Sequence, residues 1–378
     1  MLCHQPDGKP GNAYLKINKT KENMLDKSIA KSALLMLVIV VTAITGYEIS
    51  LRSKGLEVSY DDGPALWADK RKMVYQSSED QIVFIGSSRI KYDLDIPTWK
   101  EQTGLEAVQL ACVGSTPVPI LKDLANDPQF RGRLIIDVTE PLFFSSVPFF
   151  FERPTKNLKY YHDHTIAQDI SFQLHSALES QLVFLDEENL SMNAQLGILP
   201  YMVPQLQDRP GASGGPIFPI EFARTNFDRQ TYMTDHFVAD TAQVGIVKSI
   251  WAGLAKMPMP PPMNDAQILA FLQDIRKSTD KIKARGGKVI FVRTPSSGAF
   301  RQMELGGFAR SRYWDKLLEV TGCPGIHFED DAATKNLVCP EFSHLNRADA
   351  KVYTAAFIKN LSQHEGWNVR SEKLITKL

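Results

Sequence analysis

The apolar positions of this chain fall into short β-branched runs separated by longer stretches of helical spacing. Residues 81–85, 106–110, 134–138, 288–292 and 326–328 read as strands, since short continuous apolar runs suit a sheet buried on both faces. Between them the period changes to three and four. The clearest helix covers 265–285, where Ile268, Leu269, Leu272, Ile275 and Ile282 share a row with Thr279. Asn264 caps its start and Gly286 follows its end. Further helices are expected at 117–127, 308–320 and 347–361, and Pro97 suits the first turn of another. Strand and helix alternate, which predicts an α/β domain: three layers, α/β/α, around a doubly wound parallel sheet.

Two stretches break the pattern. Residues 140–263 are too long for a plain loop. They are aromatic early (Phe143, Phe144, Phe149, Phe150, Phe151) and rich in Gly and Pro at 209–216 and 257–263. They read as a helical insertion or lid, with helices near 166–179 and 243–256. The other exception is the N-terminus. Residues 1–31 carry six lysines and show no regular pattern, and 32–47 hold no charge at all. With Ile29 and Ala30 the apolar stretch is about 18 residues, against ~17–25 for a spanning helix. Four lysines precede it in 17–31, and only Arg52 and Lys54 follow in 48–62. This bias predicts a cytoplasmic tail (1–31), a transmembrane helix (32–47) and everything later outside the cytoplasm, in the periplasm. A cleaved signal peptide is the alternative. Residues 48–80 would form a stalk and lead-in helix, 81–365 the domain, and 366–378 a tail.

Composition changes this picture little. The 378 residues contain 43 basic and 43 acidic side chains, which excludes a strongly basic nucleic-acid binder. Four cysteines matter more. Cys112 sits in an apolar run, and Cys3 precedes the span. Cys323 and Cys339 lie sixteen apart in the exported part, where an oxidising compartment lets them pair. Closing such a loop stabilises by about 3 kcal/mol in the chain-entropy model.

The chemistry concentrates at two places. The first strand ends in Gly86-Ser87-Ser88-Arg89, at the carboxyl edge where open α/β sheets keep their sites. Far along the chain stands Glu341-Phe342-Ser343-His344-Leu345-Asn346. A serine hydroxyl needs a base to become a nucleophile, and that base needs a carboxylate on its other nitrogen. Ser88, His344 and Glu341 supply the three groups, with Ser87 as a turn residue. Arg89 and Arg293 follow strands at one sheet edge. With Asn346 they are the substrate-binding candidates, a salt bridge being the alternative for both arginines. Asp163 between His162 and His164 lacks a third ligand cluster, so no metal or other cofactor is expected.

These two stretches resemble the SGNH (GDSL-type) hydrolase superfamily, in its membrane-anchored cell-envelope branch. Gly86-Ser87-Ser88 matches the family's Gly-Asp-Ser, and Glu341-x-x-His344 its Asp-x-x-His, with a carboxylate one methylene longer. His344-Leu-Asn346, Arg293-Thr-Pro-Ser-Ser297 and Arg312-Tyr-Trp-Asp315 also look like that branch. The resemblance covers roughly 80–138 and 286–362. It implies an oxyanion hole from the N–H groups of Ser88 and Gly114. The family's third donor, an Asn after the third strand, is absent from Asp137-Val-Thr-Glu140, leaving Arg89 or Thr139 as substitutes or the hole incomplete. It further implies O-acetyl transfer or ester hydrolysis on envelope polysaccharide, often beside an integral acyltransferase of the MBOAT class. A free-standing esterase on small or lipid esters is the second expectation. A degenerate scaffold that binds glycan or partner without turnover is the third.

Overall fold

The computed structural model describes residues 12–75, 82–191, 194, 216–256, 261–364, 366, 367 and 369. Cys3, most of the Gly/Pro-rich stretch 209–216, residues 257–260, and most of the expected C-terminal tail lie outside them. The chain forms two units, Met1–Leu56 and Glu57–Leu378.

The first unit is one helix, α1 (Asn12–Ser53). Within it Ser28–Ser53 is long and apolar enough to cross a membrane, and residues 28–47 are exposed throughout. The helix starts well before the charge-free run. Lysine and glutamate are good helix formers, and an existing apolar helix propagates through them at little cost.

In the second unit five strands pair in parallel in the order β2-β1-β3-β6-β7. They are β1 (Ile82–Ile85), β2 (Ala107–Gln109), β3 (Arg133–Asp137), β6 (Lys288–Arg293) and β7 (Gly325–His327). Alternate residues feed two cores, because successive side chains on a strand point to opposite faces. Val83, Ile85, Leu134, Ile136, Val289 and Phe291 pack under α2 (Pro64–Met73), α5 (Val118–Asn126), α12 (Asp265–Ala284) and α14 (Trp314–Thr321). Ile82, Phe84, Ile135, Ile290 and Val292 pack under α3 (Ser88–Asp93), α4 (Ile96–Thr103) and α15 (Arg347–Leu361). Phe84 meets Trp99 edge to face, with centroids 5.1 Å apart. Burying each such side chain contributes about 1.5–3 kcal/mol. The strand order reverses between β1 and β3, so the Gly86–Arg89 turn emerges at the topological switch point.

The insertion holds α6 (Glu140–Phe143), α7 (Phe149–Asp163), α8 (Ile166–Glu179), α9 (Glu187–Leu190), α10 (Asp235–Ala239) and α11 (Thr241–Leu254). It also carries a hairpin, β4 (Arg224–Thr225) with β5 (Thr231–Tyr232), that apolar periodicity did not reveal. Its arginines reach inward. Arg229, fully buried, donates to Asp62 and to the carbonyls of Gln109 and Ala111 at 2.7 and 3.1 Å. That clamp holds the segment leading to Gly114.

One expectation changes. The helix expected at 308–320 is shortened to α14, where Trp314 and Leu317 are buried, and a helix that periodicity did not reveal, α13 (Gly298–Gly307), precedes it and ends at Gly306 and Gly307. The expected lead-in helix is present as α2. Leu66 and Trp67 are buried in the core, and the Trp67 indole donates to the Leu110 carbonyl at 2.9 Å.

Candidate active site

The serine turn is built around Asp137, at the end of β3. Gly86 passes so close that a Cβ there would lie 2.5 Å from the Asp137 Cβ, which only glycine avoids. The Asp137 carboxylate accepts the Ser87 hydroxyl at 3.3 Å and the Thr294 hydroxyl at 2.9 Å. Ser87 Oγ also sits 2.7 Å from Thr139 Oγ1 and accepts the Arg89 N–H, so it caps α3. Ser87 is thereby tied into the scaffold, and Ser88, the first residue of α3, is left partly open. Burial raises the Asp137 pKa, against the hydrogen bond from Thr294 and the nearby arginines.

The second stretch meets it. His344 Nε2 lies 2.9 Å from Ser88 Oγ, and His344 Nδ1 lies 2.9 Å from Glu341 Oε1. Glu341 is fully buried and turns back on its own loop, accepting the backbone N–H of His344 at 2.6 Å and of Ser343 at 3.3 Å. This closure requires Phe342 at φ +83°, a left-handed conformation rare for a residue with a Cβ. The Phe342 ring fills the space where a Cβ on Gly298 would fall, 2.3 Å from its Cδ1, and the Ser297 N–H donates to its carbonyl at 2.9 Å. The strained turn is thus held from outside.

The imidazole is enclosed by aromatic rings. Tyr92 stacks on it with centroids 4.2 Å apart, and Phe222 meets it edge-on at 5.8 Å. Trp251, on α11 of the insertion, donates its indole N–H to Glu341 Oε2. Below the histidine, Asp93 accepts the Leu345 N–H at 2.9 Å, while its other oxygen has no partner. Burial drives the Asp93 pKa well above the usual carboxylate range.

The oxyanion candidates are placed unevenly. The Ser88 N–H lies in the first turn of α3, where helical N–H groups lack intrahelical acceptors. Gly114 has φ +61°, and open space faces its Cα. Neither N–H meets an acceptor among the described residues. No third donor joins them from the expected substitutes. Thr139 is engaged with Ser87, and the Arg89 guanidinium is buried against Glu304.

The substrate-binding candidates take other positions. Arg89 and Arg293 are 2% and 0% exposed and share Glu304, while Arg293 also reaches Glu140 at 2.8 Å. The two guanidiniums hold Glu304 down at about pH 2 despite its burial. Both arginines therefore brace the floor through Glu304, with Arg89 Nη1 buried and unpartnered among the described residues. Asn346 caps α15, accepting the Asp349 N–H at 2.9 Å. His162 and His164 each pair with an aspartate, Asp123 and Asp169. The expected disulfide is not formed. Cys323 and Cys339 are both free and buried, one in each core, and the sheet lies between them.

Sequence reading missed Tyr92, Asp93, Trp251 and Phe222. Tyr92 and Asp93 follow Ser88 by four and five residues on α3, so helical spacing from the serine would have flagged them. Trp251 and Phe222 carry no local signal, since only the fold of the insertion brings them to the histidine. No family model matches this chain, and no curated protein does either.

Proposed function

We propose that the domain is a serine-dependent acyl-ester enzyme in which Ser88 attacks the acyl carbon and His344 takes the serine proton. Glu341 holds the Nδ1–H tautomer and supports the imidazolium that forms. The observation that carries this reading is the continuous relay of two 2.9 Å contacts through His344. The N–H groups of Ser88 and Gly114 are the donors offered to the developing oxyanion. The imidazolium gives its proton to the oxygen of the leaving alcohol, and the acyl group on Ser88 Oγ then passes to water or to a sugar hydroxyl, whose proton His344 takes and returns to Ser88 Oγ. The residue pattern of the SGNH superfamily's envelope branch favours O-acetyl transfer or ester hydrolysis on polysaccharide outside the cytoplasm. The MBOAT-class acyltransferase is the partner that this reading implies.

The test is labelling of the detergent-solubilised full chain with a fluorophosphonate, with the adduct mapped by mass spectrometry. The expected adduct is on Ser88 and is absent in Ser88→Ala. A folded wild-type chain that takes up no probe and turns over no activated acetyl ester overturns the reading. One observation favours a second reading. The described residues supply two oxyanion donors rather than three, which suits a scaffold that binds glycan or partner without turnover.

A further inference from the structure

Helix α8 is amphipathic in the wrong sense for a water-facing helix. Its charged groups turn toward the protein. Asp169 accepts from Lys72 Nζ at 2.6 Å, and Glu179, 2% exposed, accepts the Asp61 N–H at 3.1 Å. Its large apolar residues turn outward. Ile166, Ile170, Leu174 and Leu178 are 79%, 54%, 67% and 55% exposed. At four-residue spacing, with Ala167 and Ala177 among them, they occupy about 120° of the helix surface at 100° per residue. The other exposed positions of α8 are Gln168, Ser171 and Gln173, so the whole outer face is uncharged. Soluble proteins scatter exposed apolar residues and rarely line up four on one helix.

The chain itself names the occupant. The last turn of α8 is fastened to Asp61 by Glu179, and Asp61 follows the end of α1 by eight residues. Eight residues span at most about 28 Å of extended chain. The apolar stretch of α1, residues 28–47, is itself unburied by protein. A hollow beside Gln168 at the first turn of α8 is lined by Lys156 and Lys159, together with Asp163. Lysines next to an uncharged apolar face suit a surface of anionic headgroups over acyl chains.

We propose that α8 is an interfacial helix whose outer face lies in the headgroup and upper acyl region of the bilayer that α1 spans. The proposal rests on α1 being a span and is independent of the serine chemistry. It gives the domain a second attachment that limits its tumbling on the tether.

The experiment uses the full chain with Cys3→Ser, reconstituted in vesicles of phosphatidylethanolamine and phosphatidylglycerol. A single cysteine is introduced by Leu174→Cys or, as control, by Val352→Cys on α15, where the native side chain is 48% exposed. Each is labelled with an environment-sensitive nitrobenzoxadiazole dye, the three native thiols in the described residues being buried. The expected result is a blue-shifted label at 174, quenched several-fold more by nitroxide lipid than by aqueous iodide, with the reverse at 352. A label at 174 quenched by iodide alone overturns the proposal. So does one shielded from both quenchers, which means that protein covers the face. Extraction of the chain from the vesicles by alkaline carbonate shows instead that α1 is not a span, and the proposal falls with it. Ile170→Glu with Leu178→Glu, on the labelled Leu174→Cys chain, is expected to abolish lipid quenching while carbonate-resistant recovery persists. Unchanged quenching in that variant also overturns the proposal.

Discussion

The indole of Trp251 donates its N–H to Glu341 Oε2, the carboxylate oxygen that His344 does not use. A residue of the insertion thus closes the hydrogen-bonding shell of a carboxylate at the opposite end of the domain's chain. Glu341 Oε1 takes the imidazole and two backbone N–H groups, and Oε2 takes the indole. Both oxygens are fixed, so the carboxylate cannot rotate away from His344.

Trp251→Phe keeps a ring in place and removes the donor. A hydrogen bond to a charged group is worth about 1.5–3 kcal/mol, so kcat is expected to fall roughly 10- to 100-fold. KM should change little. A role in packing alone predicts unchanged kcat in Trp251→Phe, with thermal unfolding as the control for folding. Hydrolysis of an activated acetyl ester by the full chain reads the difference.

Ser88 and His344 act as one unit, so Ser88→Ala, His344→Ala and the double variant should lose nearly the same activity. Glu341→Gln should retain more than Ser88→Ala, since it keeps the side chain's reach. Glu341→Asp is expected to do worse than a conservative change suggests. One methylene fewer cannot serve Trp251 and the turn of 342–344 together. Equal activity in Glu341→Asp and wild type would mean that the loop relaxes freely around the carboxylate.

Asp93 predicts a loss of stability as pH rises from the acid side. Its folded pKa is raised by burial above the unfolded value. Its stabilising proton is therefore fully in place below the unfolded pKa. Stability is lost as pH rises toward the folded pKa, by up to about 1.4 kcal/mol per pH unit. Asp93→Asn removes that dependence and keeps an oxygen for the Leu345 N–H. The variant should gain stability relative to wild type as pH rises above the unfolded carboxylate value. Denaturant midpoints that stay parallel over that rise would count against a raised Asp93 pKa.

Glu304 works in the opposite sense. Its folded pKa lies near 2, below the ordinary carboxylate value, because Arg89 and Arg293 flank it. Its contribution is present above the unfolded pKa and is lost as pH falls toward 2. Glu304→Gln leaves two buried guanidiniums short of charge and should cost about 3–5 kcal/mol, the usual penalty for breaking a buried pair. The loss should be large at pH 7 and shrink on acidification, as followed by urea denaturation at several pH values.

Cys323 and Cys339 should both react with iodoacetamide only after denaturation, and non-reduced peptide maps should show no link between them. A 323–339 disulfide in the native chain would contradict the placement of the two thiols on opposite faces of the sheet.

Local pattern determined a good deal of this protein. Runs such as 82–85 and 288–293 are strands because β-branched residues fit a pleated surface covered on both sides. The helix from Asp265 is bounded by Asn264, whose side chain caps Gln267 N–H. The charge-free run inside α1 needs no tertiary context to be a span candidate, since length and hydropathy alone set that property. The pairing of Ser88 with His344 was suggested by residue type, and it required the parallel sheet to bring residues 256 positions apart within 2.9 Å. What sequence could not settle was each polar side chain's choice of partner. Arg89 and Arg293 look like anion binders until Glu304, on a helix hidden by its glycines, meets both. Cys323 and Cys339 look bondable by loop length until the sheet separates them. Trp251 lies ninety residues from Glu341 and becomes its partner only when the insertion folds back. Periodicity is a property of neighbours along the chain, whereas charge satisfaction and the surroundings of His344 depend on contacts that only the closed tertiary structure makes.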